Sequence, residues 1–444
     1  MATTKKKAAA PKKSAKPEPI QSPRGTQDIL PAEQKYWEYV VETGKSVLRG
    51  FGFQRIDTPI FEEKNLYVRG VGEETDIVNK EMFELKSRGS GSSYVLRPEA
   101  TAALARAYIE HGMRSWPKPV KLFTVGPFFR YERPQKGRWR QHHQFSIEVF
   151  GSASPVVDSF ILFVLDSLFK DLGLEEYTLH INTLGEPKDR TSYVKALKEH
   201  YRKGRAKTCK TCKERLKTNP LRVLDCKEEK CQQLANTAPR LLDYLSEESR
   251  QHFEQVVSLL DQLEVSYQVT PSLVRGLDYY EHTVFEFVGK AAEGEEPRSF
   301  TGGGRYDGLV KSLGGKPTAG VGVAIGIERI IDQLKDEGVE LMVADKPLLF
   351  VAHLGEEAKH HTIQLLRRLQ QAGIPFAEGL DRDGMQAQLK LADRLGVPWS
   401  LIIGHKEVID KTVILRSMES GMQEVIPQEN LEADLRKRLN LEEG

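Results

Sequence analysis

The 444-residue chain predicts an α+β protein with a smaller α/β unit at its C-terminal end, and three observations carry that expectation. Residues 128–151, FFRYERPQKGRWRQHHQFSIEVFG, read as strand, loop, strand. Aromatic and charged residues alternate on entry, Pro134 and Gly137 mark a turn, and HQFSIEVF returns in near-alternation. Residues 187–248 turn polar, lysine-rich and helical in spacing, which reads as an inserted helical segment. From residue 346 onward, strand-like apolar runs alternate with helix-like segments, the pattern of a small open α/β domain with a mixed sheet.

Length and composition fit this division. A chain of 444 residues predicts two or three domains, and 39% hydrophobic with 29% charged residues is a soluble globular composition. There is no run of about 18 apolar residues to span a membrane. The N-terminal segment has no apolar core of a secretory signal, so a cytoplasmic protein is expected. The net charge of +2 hides an asymmetry, because residues 1–19 hold six lysines and one glutamate, +5, leaving the remainder near −3. Nucleic-acid binding would therefore depend on local basic patches.

In chain order, residues 1–19 are low-complexity and predict a disordered basic tail. The fold begins near RGTQDILP, 24–31, followed by a helix-like AEQKYWEYVVETGKSVLRGF. FGFQRIDTPIFE, 51–62, is an alternating strand interrupted by Pro59, which must sit at an edge or a bend. In YVLRPEATAALARAYIEHG, 94–112, a short strand reaches Glu99 and a helix opens at Thr101. Strand ends commonly carry functional side chains, but a carboxylate there can equally serve the helix N-terminus.

SPVVDSFILFVLDSLFKDLGL, 154–174, reads as a core amphipathic helix, and YTLHINTLGE, 177–186, as a strand. VTPSLVRGLDYYEHTVFEFV, 269–288, suggests strand, turn, strand, with Arg275 either facing a polar pocket or paired with Asp278 at an edge. SFTGGGRYDGLV, 299–310, reads as a glycine-rich turn where backbone can approach a ligand. GVGVAIGIERII, 320–331, is a glycine-punctuated strand running into a helix from near Ile325.

The chemistry concentrates in the first hairpin. Between Arg130 and Arg140 lie four arginines and one lysine against one glutamate, a charge of +4. Planar guanidinium forks bind phosphate bidentately, and gathering them in one loop is costly unless an anion offsets the repulsion. A solvated basic loop is the plainer reading. All four cysteines lie in the inserted segment, Cys209 and Cys212 as C-x2-C, then Cys226 and Cys231 as C-x4-C after 13 residues. That spacing is compatible with a structural tetrahedral zinc site, and equally with four unmetallated thiols.

R-x-E-R-P-Q-x-G-R-x-R-Q in the hairpin resembles motif 2 of the class II aminoacyl-tRNA synthetases, in the form carried by the histidyl-tRNA synthetases. The likeness extends from about residue 24 to 440. The Gly-Phe…Pro spacing of 51–62 is similar to motif 1, and LRPEAT to the family's LRPEGT with Ala100 in the glycine's place. LVRGLDYY and GGGRYD match the two histidine-specific peptides, and GVGVAIGIERII resembles motif 3. The resemblance implies an antiparallel-sheet catalytic domain over about 20–340 with a helical insertion near 187–248, and an anticodon-binding domain over about 346–440. It also implies a homodimer.

The implied substrates are L-histidine, ATP with Mg²⁺, and tRNA(His). Arg275 and Arg130 match the catalytic positions. Glu99, Ala100, Thr101, Arg130, Gln144, Glu148, Arg275, Tyr279, Tyr280 and Tyr306 match the histidine pocket, with Glu148 and Tyr280 at the ring-reading positions. Arg130, Glu132, Arg138 and Arg329 match the ATP site, Glu132 through a water-mediated contact with Mg²⁺. Gln135 and Arg140 suit the acceptor end of tRNA, and the lysines and arginines of 195–217 its acceptor arm. The family does not depend on zinc, which sets the resemblance against a metal at the cysteines. The alternative from another class is an inactive histidine-sensing regulatory paralogue. Such relatives lack the C-terminal domain and lose the catalytic arginines, whereas this chain carries both.

Overall fold

The computed structural model describes residues 19–441, except 74, 87–90, 92, 135–136, 291–296, 342–346 and 440. Nearly all of the basic N-terminal segment and Gln135 thus lie outside the described residues. The chain divides into two compact units, one ending at Glu340 and the other beginning at Leu341.

An eight-stranded, mostly antiparallel sheet organises the first unit. Its spatial order is Gln54–Arg55, Val120–Phe129, Gln141–Phe150, Gly320–Gly326, Ser299–Arg305, Glu281–Gly289, Tyr177–Thr183, Tyr267–Val269. Only the two outermost pairings are parallel. The hairpin at 128–151 forms as expected but with longer arms, since Val120–Phe129 pairs with Gln141–Phe150 over ten residues. The alternation in FFRYER does not continue as strand past Phe129, and the second arm begins at Gln141. Pro59 marks a bend: Gln54–Arg55 joins the large sheet, and Phe61–Glu63 joins a separate three-stranded sheet with Tyr94–Leu96 and Glu84–Leu85.

Period-two patterning assigns the two faces of the large sheet. Phe145, Ile147 and Val149 share one core with Val321, Val323, Ile325, Phe285 and Phe287. Helices Pro31–Gly50, Pro155–Asp171, Glu247–Gln262 and Ile327–Asp336 cover that face through residues such as Leu48, Leu165, Val256 and Ile330. The intervening residues, including Gln144, Ser146 and Glu148, point the other way. The last of these helices starts at Ile327 and not near Ile325, because Ile325 is still in ladder register with Phe145.

The glycine-rich segment SFTGGGR is no turn. It forms a central strand, pairing with Glu281–Gly289 on one side and Gly320–Gly326 on the other. Glycine weakens a strand interior, so its presence there signals something approaching the backbone closely.

The inserted segment is helical, with Pro187–Lys203, Lys210–Thr218 and Glu229–Ala235 linked by short 3₁₀ turns. The C-terminal unit holds a mixed sheet in the order Phe376–Glu378, Leu349–His353, Trp399–Ile403, Thr412–Ser417, Gln423–Pro427. Leu349–His353 is buried at every position, as a strand covered on both faces must be. Helices Glu356–Gln371 and Leu431–Leu439 pack on one side and Met385–Leu395 on the other.

Phe169 packs edge-on against Tyr177, Phe287 and Phe300 with ring centroids 5.5, 5.0 and 5.0 Å away. Phe169→Ala is expected to destabilise the first unit by about 3–5 kcal/mol, read as a lower urea midpoint for that unit.

Candidate functional site

On its second face the large sheet forms a trough whose floor is nearly free of side chains. Across four adjacent strands, one row runs Ser146, Ala324, Gly302, Glu286 and the next Glu148, Gly322, Gly304, Val284. The middle strands carry only glycine or alanine in these rows. A Cβ on Gly302 would collide with the Arg275 guanidinium, and one on Gly322 with the Glu148 carboxylate. The glycines thus leave room for charged side chains to lie flat on the sheet.

Glu148 is completely buried. Its two oxygens accept hydrogen bonds from Thr101 Oγ1 at 2.7 Å and from the Tyr306 hydroxyl. Burial pushes the carboxyl up from 4.5 to about 8, opposed by those bonds and reinforced by nearby Glu99. Thr101 opens the helix Thr101–Glu110, whose N-terminus is held by Glu99: Oε2 accepts from the Thr101 N–H at 2.7 Å and Oε1 from the Ala102 N–H at 2.9 Å. Glu99 thus serves the helix terminus, and its remaining lone pairs leave it able to serve a ligand as well. Ala100 sits in ordinary helical conformation at φ −102°, ψ −30° and is buried in the core, so its methyl group is accommodated without strain.

Three tyrosines wall the trough. Tyr279 lies 4.6 Å from Tyr280 and 5.6 Å from Tyr306, centroid to centroid. The Tyr280 ring lies against Gly304, and its carbonyl accepts from Arg190 at 3.3 Å, tying the inserted segment to the site. Gln144 keeps its Oε1 buried with no hydrogen-bond partner among the described residues, and Arg275 does the same with Nε. Arg275 pairs through Nη1 with Glu286 at 3.2 Å, whereas Asp278 accepts from Asn219 at 2.6 Å.

Toward the hairpin loop the arginines gather. Arg130 Nε donates to the Pro98 carbonyl at 2.9 Å, and Arg138 pairs with Glu132 at 3.1 Å. Arg329, on the helix Ile327–Asp336, donates through Nε to the Gly137 carbonyl at 3.1 Å. Burial lowers its pKa, and Arg138, Arg130 and Arg275 lower it further by like-charge repulsion, partly offset by Glu132. Beside them, burial and then Arg130 and Arg329 push His142 down to about 3, so it stays neutral. Four cations crowd one end of the trough, and Glu132 and Glu286 compensate only part of that charge. Arg140 is engaged differently, stacked 3.8 Å over the Tyr131 ring and donating to the Arg24 carbonyl at 3.3 Å.

Sequence reasoning missed several residues that hold this arrangement. Glu286, partner of Arg275, reads as an ordinary polar position in an alternating strand; its signal is its register opposite Gly302. Arg305 is fully buried, donating to Asp158 and to the carbonyls of Ser152 and Ser154 at 3.0 and 3.3 Å, which pins the turn after the Gln141–Phe150 strand. Arg97 braces the hairpin through the Pro127 carbonyl at 2.9 Å and lies 4.5 Å over Phe128.

Glu148 yields a pH test. The folded chain keeps its proton up to about pH 8, while the unfolded chain loses it near 4.5. Its contribution to stability is therefore full below pH 4.5 and declines as pH rises to about 8. Denaturant midpoints measured across this window should fall for the wild type and fall less for Glu148→Gln.

Comparison with known proteins agrees with the geometry. A family model described as histidyl-tRNA synthetase matches residues 25–330, and one described as an anticodon binding domain matches 349–438. A histidine–tRNA ligase of Dehalococcoides mccartyi is 42% identical over 419 residues, 94% of this chain and all of that protein. Histidine–tRNA ligase 1 of Shouchella clausii is 44% identical over 95% of this chain and 99% of its own length. Among solved structures, the apo S. aureus histidyl-tRNA synthetase superposes with a TM-score of 0.78 at 35% identity, covering 94% of this chain and 99% of that one. On this agreement of sequence, fold and extent, the chain belongs to the histidyl-tRNA synthetase family.

Proposed function

We propose that the protein is a histidine–tRNA ligase, which activates L-histidine with ATP to histidyl-adenylate and transfers it to the 3′ end of tRNA(His). The observation that carries this reading is the pairing of unsatisfied groups in one trough. Among the described residues, Gln144 Oε1 is an acceptor without a donor and Arg275 Nε a donor without an acceptor, and Gln144 lies on the same strand face as the buried Glu148. An α-amino acid brings an ammonium for the first and a carboxylate for the second, and histidine adds ring N–H groups for Glu148 and Tyr280. Glu148 is already bonded to Thr101 and Tyr306, yet its carboxyl oxygens have further lone pairs to offer a ring N–H. Leaving either polar partner unmatched penalises an isosteric side chain heavily.

In the first step a carboxylate oxygen of histidine attacks the α-phosphorus of ATP, a P–O bond forms, and pyrophosphate leaves. Both reactants are anionic, so fixed cations supply the main electrostatic help. Arg130 is assigned to the α-phosphate, Arg329 and Arg138 to the β/γ end, and Arg275 to the space between the histidine carboxylate and the α-phosphate. A guanidinium keeps its proton, so Arg275 stabilises charge and is not a base. Mg²⁺ would neutralise phosphate oxygens; Glu132 is engaged with Arg138 at 3.1 Å and Arg130 at 3.9 Å, which suits contact through water better than direct ligation. In the second step the ribose hydroxyl of the terminal adenosine attacks the acyl carbon and AMP leaves.

The tRNA contacts assigned to Arg140 and Gln135, a cytoplasmic location and a homodimer complete the proposal. Among the described residues no helix is long and apolar enough to cross a membrane. The dimer rests on the likeness of 51–62 to motif 1, where Ile60 and Phe61 leave large apolar side chains exposed. The regulatory alternative is disfavoured by the C-terminal unit and by the presence of Arg130, Arg275 and Arg329 together.

Purified protein with ATP, Mg²⁺ and tRNA(His) should charge the tRNA with labelled histidine. Arg275→Ala should slow adenylate formation on the order of 10²–10³-fold while histidine affinity falls far less. Equal losses in both would contradict the role given to Arg275.

A further inference from the structure

Away from the trough, the inserted segment brings its four cysteines to one point. The Sγ atoms of Cys209, Cys212, Cys226 and Cys231 all lie within 4.8 Å of one another. All four are free thiols, three of them buried and Cys209 partly so. Cysteines acting only as small apolar fillers have no reason to converge from two arms of the chain. A zinc ion bound by four thiolates at about 2.3 Å sets neighbouring sulfurs about 3.8 Å apart along each tetrahedral edge. Cys209 and Cys226 stand 3.9 Å apart, sulfur to sulfur.

The backbone is arranged for thiolates as well. The Cys212 N–H donates to Cys209 Sγ at 3.4 Å, and the Cys209 N–H donates to Cys231 Sγ at 3.3 Å. Donors aimed at the sulfurs are the surroundings expected around a metal thiolate site. Four sulfurs this close suit one tetrahedral ion and not a multi-iron cluster, whose ligands must reach around the cluster.

We propose that Cys209, Cys212, Cys226 and Cys231 bind one structural Zn²⁺ ion, and that this ion braces the loop carrying Arg275. The residues between the two cysteine pairs make that connection. Asn219 donates to Asp278 at 2.6 Å and Arg222 to the Gly276 carbonyl at 3.2 Å, on either side of Leu277. Arg215 in turn holds the Arg222 carbonyl at 3.0 Å, and Tyr201 donates to the Val223 carbonyl at 3.4 Å. With metal bound, the 213–225 segment is anchored at both ends and presents Asn219 and Arg222 to the Gly276–Asp278 stretch that follows Arg275. The bracing half of this proposal rests on the role given to Arg275 above; the metal half does not.

The test is elemental analysis of the full-length protein, purified without chelators from zinc-sufficient medium, combined with X-ray absorption. One zinc per chain with four sulfur neighbours at about 2.3 Å is expected. Less than a tenth of a zinc per chain with four thiols titrating freely in the native protein, or iron in its place, overturns the assignment. Cys226→Ser should lose the zinc and slow histidyl-adenylate formation severalfold while histidine affinity falls less. A folded, zinc-free variant with wild-type adenylate formation would overturn the bracing and leave the metal result standing. The measurement on the unaltered protein decides the metal question even if the variant does not fold.

Discussion

A carboxyl group with no exposure to water is the constraint around which the first unit is built. Glu148 projects from the middle of a long strand, keeps its proton up to about pH 8, and must have hydrogen-bond partners on both oxygens, because a buried polar group left unpaired is costly. Thr101 and Tyr306 provide them from separate segments of the chain. Thr101 can do so only because its helix starts there, and that start is held by Glu99. Tyr306 follows Arg305, whose buried bonds to Asp158 and the Ser152–Ser154 turn fix the strand end. Disturbing Glu148 would therefore reach a helix terminus, a strand end and the glycine floor together.

The same floor explains how positive charge is tolerated. Arg275 lies over Gly302 and reaches Glu286 across the adjacent strand, while Arg130 and Arg329 donate to backbone carbonyls and Arg138 leans on Glu132. These partners fix the guanidinium groups without neutralising all of them. A site organised this way before any anion arrives supplies its electrostatic help without reorganising. His142, kept neutral among the arginines, adds no further repulsion.

Much of this was legible in the sequence, for identifiable reasons. The hairpin, the helix after LRPEA and the C-terminal β/α alternation all follow local periodicity, and the structure reproduces them. What misled was glycine. GGG suggests a turn by local preference, but here it is a strand because the neighbouring strands supply the ladder and Arg275 needs the space. By contrast, GVGVAIG shows its role openly, with small residues at 320, 322, 324 and 326 facing the trough and Val321, Val323 and Ile325 facing the core. Glu286 and Arg305 were not legible because their meaning depends on register and on partners remote in sequence. Cysteine spacing left metal and idle thiols both open, and the convergence of the sulfurs is the observation on which the zinc proposal rests.

The trough is proposed to read histidine and to activate it. ATP–pyrophosphate exchange with each of the twenty amino acids, in the presence of Mg²⁺ and without tRNA, tests it most directly. Exchange with histidine alone is the predicted result. Exchange with another amino acid would contradict the ring-reading assignment of Glu148 and Tyr280, and binding of histidine with no exchange would point instead to a sensing protein that does no chemistry.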